Sequence, residues 1–377
     1  MLILDIYYED FLARHYAERP ALARRPYDEQ LAVLMDRSMG TADAYSRGFR
    51  AAGHEADEIV VNCLPLQLAW ARENGLGRYR LRRAGTHLPS LPGLVARHSL
   101  LHAIAMAQIE AFAPDVLYCQ DIWFLRRDEV ERVRRRGTLV AAQCGSQPPP
   151  GDRIEGYDFV ATSFPHFVER LRARGVDTEY LPLAFDERVL ERLRADGCPA
   201  RPGEGRDVAV SFVGGIHPPE VHRGGTELLE RLAVDLDLQL WGYVRDSLRP
   251  DSPIVSRHHG PVWGLDMYRT LARSQVTVNR HGDIAETYAN NMRLFEATGV
   301  GTLVLTEAAD NLPDLFEPGR ELVAYDGPDD LVEKARHYLA NRDELARIAA
   351  AGQAVTLERH TYERRVGELA EMLTARI

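Results

Sequence analysis

The stretch from Val276 to Thr306, VTVNRHGDIAETYANNMRLFEATGVGTLVLT, constrains the fold more than any other part of the chain. It reads as an apolar strand, a polar loop, a short helix opening on Asn290 and Asn291, and a second strand after Gly299 and Gly301. Two β-rich runs flanking one helix form a βαβ unit, which sets the helix N-terminus at the carboxyl edge of a parallel sheet. Open α/β sheets bind nucleotides and phosphates at that edge. Unpaired N–H groups at a helix start, together with the axial dipole, favour a diphosphate there. Met292 and Arg293 occupy the first turn, and Arg293 adds a full positive charge. Glu296 lies one turn further on, placed to accept ribose hydroxyls or, more simply, to pair with Arg293 at i,i+3.

The rest of the chain narrows the class. With 377 residues it is too long for one ordinary core and suits two domains. Its 46 basic and 56 acidic residues leave a net charge of −10, which argues against a general nucleic-acid binder. The arginines at 126, 127, 132, 134, 135 and 136 are interleaved with Asp128, Glu129 and Glu131, so helical i,i+3 and i,i+4 pairs consume most of that charge. Cys63, Cys119, Cys144 and Cys198 show neither CxxC nor a pairing pattern, which points to a reducing, cytoplasmic setting. The opening MLILDIYYEDFL lacks a basic n-region, and no apolar run approaches the ~20 residues that would span a bilayer. A cytoplasmic protein with no integral membrane segment and no nucleic-acid partner is therefore expected.

Two halves separate along the chain. Leu2 to Ile6, Val116 to Cys119, Thr138 to Gln143 and Tyr157 to Ser163 read as strands. They alternate with helical stretches such as Leu101 to Phe112, which Pro114 stops. LERLRADGCPARPGEGRD, from Leu190 to Asp207, is rich in Gly, Pro and charge and reads as a linker. Strand signals resume at Val208 to Val213, Leu238 to Trp241, Val276 to Asn279 and Thr302 to Leu305. Leu331, Ala335, Tyr338 and Leu339 form a helical stripe near the end. The expected division is a domain over 1–187, a linker over 188–206, a second domain over 207–360 and a terminal helix over 361–377. There is no GxGxxG and no GxxxxGK[ST], so neither a dinucleotide fingerprint nor a P-loop is indicated.

NMRLFEATGVGTLVLTE resembles the donor-site segment of GT-B glycosyltransferases, and most of all the spore-maturation CgeB-like group. WAREN at Trp70, APDVLYCQD ending at Asp121, FVATSFPHFVERLRARGV from Phe159 and YLPLAFD from Tyr180 continue the likeness. SFVGG from Ser211, EPGRELVAY from Glu317 and the terminal HTYERRVGELAEML complete the series, so it covers nearly the whole chain. The resemblance implies an α/β fold of two Rossmann-like domains facing a central cleft, with a nucleotide-sugar held by the C-terminal domain and the acceptor by the N-terminal one. It implies a hexosyltransferase-type enzyme that moves a sugar from an NDP-sugar, such as a UDP-sugar, to a hydroxyl on a glycan, protein or small molecule. No cofactor beyond that donor is implied, and the last helix is expected to cross back to the first domain. One departure is evident. Many retaining GT-B enzymes carry a second glutamate eight positions before the one matching Glu296, and here that position is Tyr288, with Glu286 nearby but out of register. Two rivals share the expectation of donor binding: a nucleotide-sugar epimerase of the same fold, and a non-catalytic nucleotide-sugar-binding protein.

Several other residues carry candidate chemistry. The strand VAVSFV runs into Gly214 and Gly215, where glycine lets a backbone approach a ligand closely. His217 and Arg223 follow, and Arg223 is placed to neutralise charge developing on a diphosphate leaving group. The alternative is a plain tight turn with a surface arginine. Trp241, Gly242 and Tyr243 end the next strand, where an aromatic ring either stacks on a nucleobase or caps the core. Asn279 and His281 follow the third strand of this half; His281 either contacts the donor or caps a loop. Asp235-Leu-Asp237 spells DxD but precedes a strand instead of following one, so no metal requirement is expected. An inverting transfer needs a base for the acceptor hydroxyl. Asp121, just past the strand VLYCQ, is the first candidate for that role, with Asp10, His15 and His166 as rivals. A retaining transfer needs no such base.

Overall fold

The computed structural model describes residues 1–76, 91–203, 205–216, 225–244 and 248–377. These divide into two compact units: Met1–Leu181 with Val366–Ile377, and Pro182–Arg365.

The first unit is built on six parallel strands. They are β1 (Leu2–Asp5), β2 (Asp57–Val60), β3 (Val116–Cys119), β4 (Leu139–Cys144), β5 (Phe159–Thr162) and β6 (Thr178–Tyr180), in the order β2-β1-β3-β4-β5-β6. β3 is buried at every position, as a strand covered on both faces must be. The chain builds β2 on one side of β1 and then returns to build β3 on the other, with Leu4 opposite Cys119. The order reverses between β1 and β3, and a ligand crevice opens at the carboxyl ends of strands that part in this way.

The second unit repeats the plan with five parallel strands: β7 (Val208–Val213), β8 (Leu238–Trp241), β9 (Ser274–Asn279), β10 (Leu303–Glu307) and β11 (Val323–Tyr325). Their order is β11-β10-β9-β7-β8, so the reversal falls between β7 and β9. The βαβ unit is present as β9, the helix Met292–Gly299 and β10, with Val304 opposite Thr277 and Thr306 opposite Asn279. Gly299 has a packing reason: a β-carbon there would lie 2.5 Å from the ring of Phe185.

Three strands escaped the sequence pattern. β2 (DEIV) carries two acids in four residues, and β6 and β11 have only three residues each, too few for a period-2 signal. The expected linker over 188–206 also needs correction. Its first part is a helix, Arg188–Ala195, whose Val189, Leu190 and Leu193 are buried in the core of the second unit. Its last residue, Arg206, is 8% exposed. The charge of the LERLR run hid that apolar stripe.

The terminal helix Tyr362–Thr374 begins in the second unit, and from Val366 onward the chain belongs to the first. Val366 packs on Gly48 with no room for a β-carbon between them. Arg376 reaches Asp177 at 2.6 Å and Glu179 at 2.7 Å, with its guanidinium 4.1 Å from the centre of the Phe159 ring. Along the arginine-rich helix Arg127–Arg134 and its flanks, Arg126, Arg127, Arg132, Arg134 and Arg136 each pair with a carboxylate. Little unpaired positive charge is left there for a phosphate backbone.

Candidate functional site

The reversal between β7 and β9 gathers most of the residues singled out in the second half. Asn291 is the N-cap of Met292–Gly299. Its side chain accepts from Leu294 N–H at 3.2 Å and donates to the Arg280 carbonyl at 2.6 Å. One amide therefore satisfies a free donor of the first helical turn and ties the helix start to the end of β9. Arg293 leans the other way: Nε donates to the Val213 carbonyl, the last residue of β7, at 2.9 Å. Its Nη1 meets Glu296 Oε2 at 2.6 Å and the Met267 sulfur at 2.7 Å. The guanidinium thus sits at the carboxyl end of β7, directly before Gly214 and Gly215, with its side chain 17% exposed.

Glu296 is 5% exposed, and its second oxygen accepts from the Tyr268 hydroxyl at 3.4 Å. Burial pushes its carboxyl above the ordinary range, while Arg293 and Tyr268 pull it back. The structure therefore forms the i,i+3 ion pair, with the carboxylate facing protein groups. Asn290, which precedes the N-cap, donates its backbone N–H to His281 Nδ1 at 3.3 Å.

His281 and Asn279 are both engaged inside the protein. Because His281 Nδ1 accepts from Asn290, the proton sits on Nε2, which meets Thr306 Oγ1 at 3.1 Å. Its own backbone N–H donates to Glu307 at 2.8 Å. Burial lowers the ring's pKa, consistent with this neutral tautomer. Asn279 is 2% exposed and donates to Thr306 Oγ1 at 2.9 Å. Both side chains hold the loop that launches the helix, and both ring nitrogens of His281 are already engaged within the protein. Ahead of that helix, Glu286 adopts φ 54° and ψ −114°, a conformation costly for a residue with a β-carbon. The sequence had set Glu286 aside as out of register and gave no sign of this strain.

The turn after β7 is closed by its neighbour. Gly214 N–H donates to the Trp241 carbonyl at 2.9 Å, and Ile216 N–H to the Tyr243 carbonyl at 2.9 Å. Gly242 has φ +152°, and a β-carbon there would meet the Gly214 carbonyl oxygen at 1.7 Å, so only glycine allows this approach. Trp241 is half-buried against the core and stacks on His259, centroid to centroid 4.6 Å and 24° apart. One indole face is therefore covered by an imidazole. His217 and Arg223 lie outside the described residues. Asp235 pairs with Arg231 and Asp237 with Arg257 at the amino end of β8, away from this edge. Among the described residues no group of three or more His, Cys, Asp or Glu is arranged to hold a metal ion, and no helix is long and apolar enough to cross a membrane.

In the first unit the corresponding edge holds Asp121, beyond β3, and Asp5, the last residue of β1. The sequence did not single out Asp5; only the strand order, with β1 beside β3, brings it to Asp121. Asp5 accepts from Ile6 N–H at 2.7 Å, and Asp121 from Trp123 N–H at 2.9 Å. Burial raises both carboxyls, and the charge of Asp121 helps push Asp5 to about 7. The rivals are placed less favourably. His15 is 1% exposed, neither ring nitrogen has a hydrogen-bond partner among the described residues, and burial lowers its pKa to about 4. It packs against Phe11 and Tyr16 as a core residue, which corrects its reading as a base. Asp10 lies exposed in the first turn of the helix Glu9–Glu18, where a carboxylate complements the dipole.

The elevated Asp5 carboxyl has a stability consequence. The folded state keeps this proton up to about pH 7, whereas the unfolded chain releases it near 3.8. Its contribution is fully present below the unfolded value and is lost as pH rises through the folded one. Asp5→Asn should therefore gain thermal stability relative to the parent as melts move from pH 4 to pH 8. A difference that stays constant across that range would refute the assignment.

Comparison with known proteins identifies the fold. The fold matches HepE from Anabaena, solved with UDP-glucose, with a TM-score of 0.56 at 13% identity over 99% of both chains. A glycosyltransferase from Rickettsia africae matches with a TM-score of 0.55 at 10% identity, over 100% of this chain and 98% of its own. Sucrose-phosphate synthase from Thermosynechococcus elongatus gives 0.52 at 14% identity, over 76% and 81%. The fold is that of GT-B glycosyltransferases. Residues 223–371 also match the family model described as glycosyl transferase-like, and that span includes β9, the Arg293 helix and β10 of the GT-B fold. No curated protein matches the chain.

Proposed function

We propose that this protein is a hexosyltransferase of the CgeB-like kind. In this reading it moves a sugar from a UDP-sugar held by the second unit to a hydroxyl of an acceptor held by the first. The observation that carries the proposal is the placement of Arg293. Its charge sits in the first turn of a capped helix, bonded to the end of β7, where the strand order reverses. A diphosphate at that point meets helix N–H groups and a guanidinium together, and charge developing on the departing UDP is neutralised without reorganisation. Gly214 and Gly215 bring backbone to the same place. Trp241 with Tyr243 is assigned to the base, and Glu296, still paired with Arg293, to the ribose. Asp121 takes the acceptor proton when the reaction inverts configuration. The solved UDP-glucose complex of HepE supports the choice of uridine among the nucleotides.

The test is a thermal-shift series of the full chain with UDP-, GDP-, dTDP- and CDP-sugars, each with and without EDTA. A ligand bound only by the folded state adds about 2.7 kcal/mol at a hundredfold excess over Kd. UDP-sugars should raise Tm, and EDTA should leave the shift unchanged because Arg293 carries the charge role. No shift at millimolar UDP-sugar would defeat the proposal. Conversion of the donor to a second UDP-sugar without acceptor would instead identify an epimerase, and a shift with no turnover a binding protein.

A further inference from the structure

The loop after β3 holds an exposed indole more firmly than a surface loop requires. Trp123 is 40% exposed, yet its Nε1–H donates to the Gln147 carbonyl at 3.0 Å and its backbone N–H to Asp121 at 2.9 Å. Arg153 bonds the carbonyls of Trp123, Phe124 and Leu125, and the Tyr157 hydroxyl reaches that of Ile122 at 3.4 Å. Four consecutive carbonyls are thus pinned beneath one aromatic ring. The loop after β1 adds Ile6, 38% exposed, and Tyr8, 56% exposed. Large apolar groups left in water on immobilised backbone mark a binding surface better than a packing accident. The polar groups beside them are Asp5 and Asp121, whose carboxyl oxygens accept hydrogen bonds whether or not Asp5 holds its proton. A ligand here must offer an apolar ring face and hydroxyl donors together, which is the chemistry of a pyranose ring.

We propose that Trp123 is the specificity-determining platform for the acceptor, stacking under a pyranose ring whose hydroxyl points to Asp121. This rests on the transferase reading and narrows its acceptor to a sugar or glycan. The anchoring explains how the platform works. A preorganised indole loses little freedom on binding, and its fixed link to Asp121 sets the ring height relative to the carboxylate. A membrane is the less favoured occupant, because the adjoining carboxyl groups offer no cation to hold anionic headgroups.

The experiment uses the full chain, saturated with UDP, titrated with methyl β-glucopyranoside and methyl β-galactopyranoside and followed by saturation-transfer NMR. Acyclic sorbitol is the control. Wild type should bind at least one glycoside through its ring C–H face and prefer it to sorbitol. Trp123→Ala should weaken that binding by roughly tenfold, and Trp123→Phe should recover most of it, as a stacking contact predicts. Circular-dichroism melts and the UDP-induced thermal shift of both variants should match wild type, because the indole caps no core. Failure of both glycosides to bind, equal binding of sorbitol, or unchanged binding by Trp123→Ala would overturn the proposal. So would loss of association with phosphatidylcholine–phosphatidylglycerol vesicles in Trp123→Ala, which would make the patch a membrane contact. Absence of a UDP shift in wild type would defeat the transferase reading itself, whereas an intact shift with Trp123-independent glycoside binding defeats only the platform.

Discussion

Arg293→Ala should lower sugar-nucleotide turnover by about 10²–10³-fold, the usual cost of removing one preorganised donor aimed at developing charge. Two effects combine at this residue. The guanidinium leaves the carboxyl end of β7, so a diphosphate there keeps only the helix N–H groups. Glu296, 5% exposed, also loses its counter-ion. An uncompensated buried carboxylate destabilises by about 3–5 kcal/mol unless it takes up a proton, and burial already favours the neutral acid here. Thermal stability of the variant should therefore fall most above neutral pH. Arg293→Ala combined with Glu296→Gln separates the two effects: it should recover stability and leave turnover low. Turnover of Arg293→Ala within twofold of wild type, once stability is restored, would reduce Arg293 to a clamp between helix and strand.

Arg206→Met should lower folding stability by about 3 kcal/mol or more, because each buried acceptor it orphans costs about 1–3 kcal/mol. At about 2–4 °C per kcal/mol for a unit of this size, Tm should drop on the order of 10 °C. Among the described residues the guanidinium bonds only carbonyls and one hydroxyl. Nη1 donates to the Ser274 carbonyl at 2.8 Å, to Thr302 Oγ1 at 2.8 Å and to the Leu271 carbonyl at 3.4 Å. Nη2 donates to the carbonyls of Val300 at 2.7 Å and Arg201 at 3.2 Å. Leu271 lies in the last turn of the helix Gly264–Arg273, and Val300 is the C-cap of Met292–Gly299. One cation therefore faces the negative ends of two helices and bonds carbonyls at both of them. Burial lowers its pKa to about 10, which still leaves it charged at neutral pH. Methionine fills similar volume but offers no donors, so the loss measures those bonds directly. A calorimetric Tm within 2–3 °C of wild type would show that the open carbonyls find other partners.

Local chemistry was the legible part. The βαβ unit around Met292–Gly299 could be read because an apolar run, an Asn cap and a glycine stop lie within some thirty residues, and each acts on its immediate neighbours. The helix Arg127–Arg134 was legible for the same reason, since i,i+3 and i,i+4 pairing is written in the spacing of its charges. His281 shows the limit. As a lone histidine after a strand it had two readings, and Thr306, brought opposite Asn279 by strand pairing, decided for the loop. His15 shows it again, because which side of Glu9–Glu18 meets the core depends on residues such as Tyr7 that the helix itself does not contain.

By itself the sequence determined two α/β halves, the Arg293-bearing helix and its place after a strand, since these follow from periods, caps and turns a few residues long. Tertiary structure alone decided which strands lie side by side. That order put Asp5 next to Asp121 across more than a hundred residues of chain, set Arg293 under the end of β7, and buried Arg206 among the ends of two helices. Such contacts join residues whose separation in sequence carries no period, so burial and neighbouring charge, which fix their chemistry, exist only once the sheets are assembled.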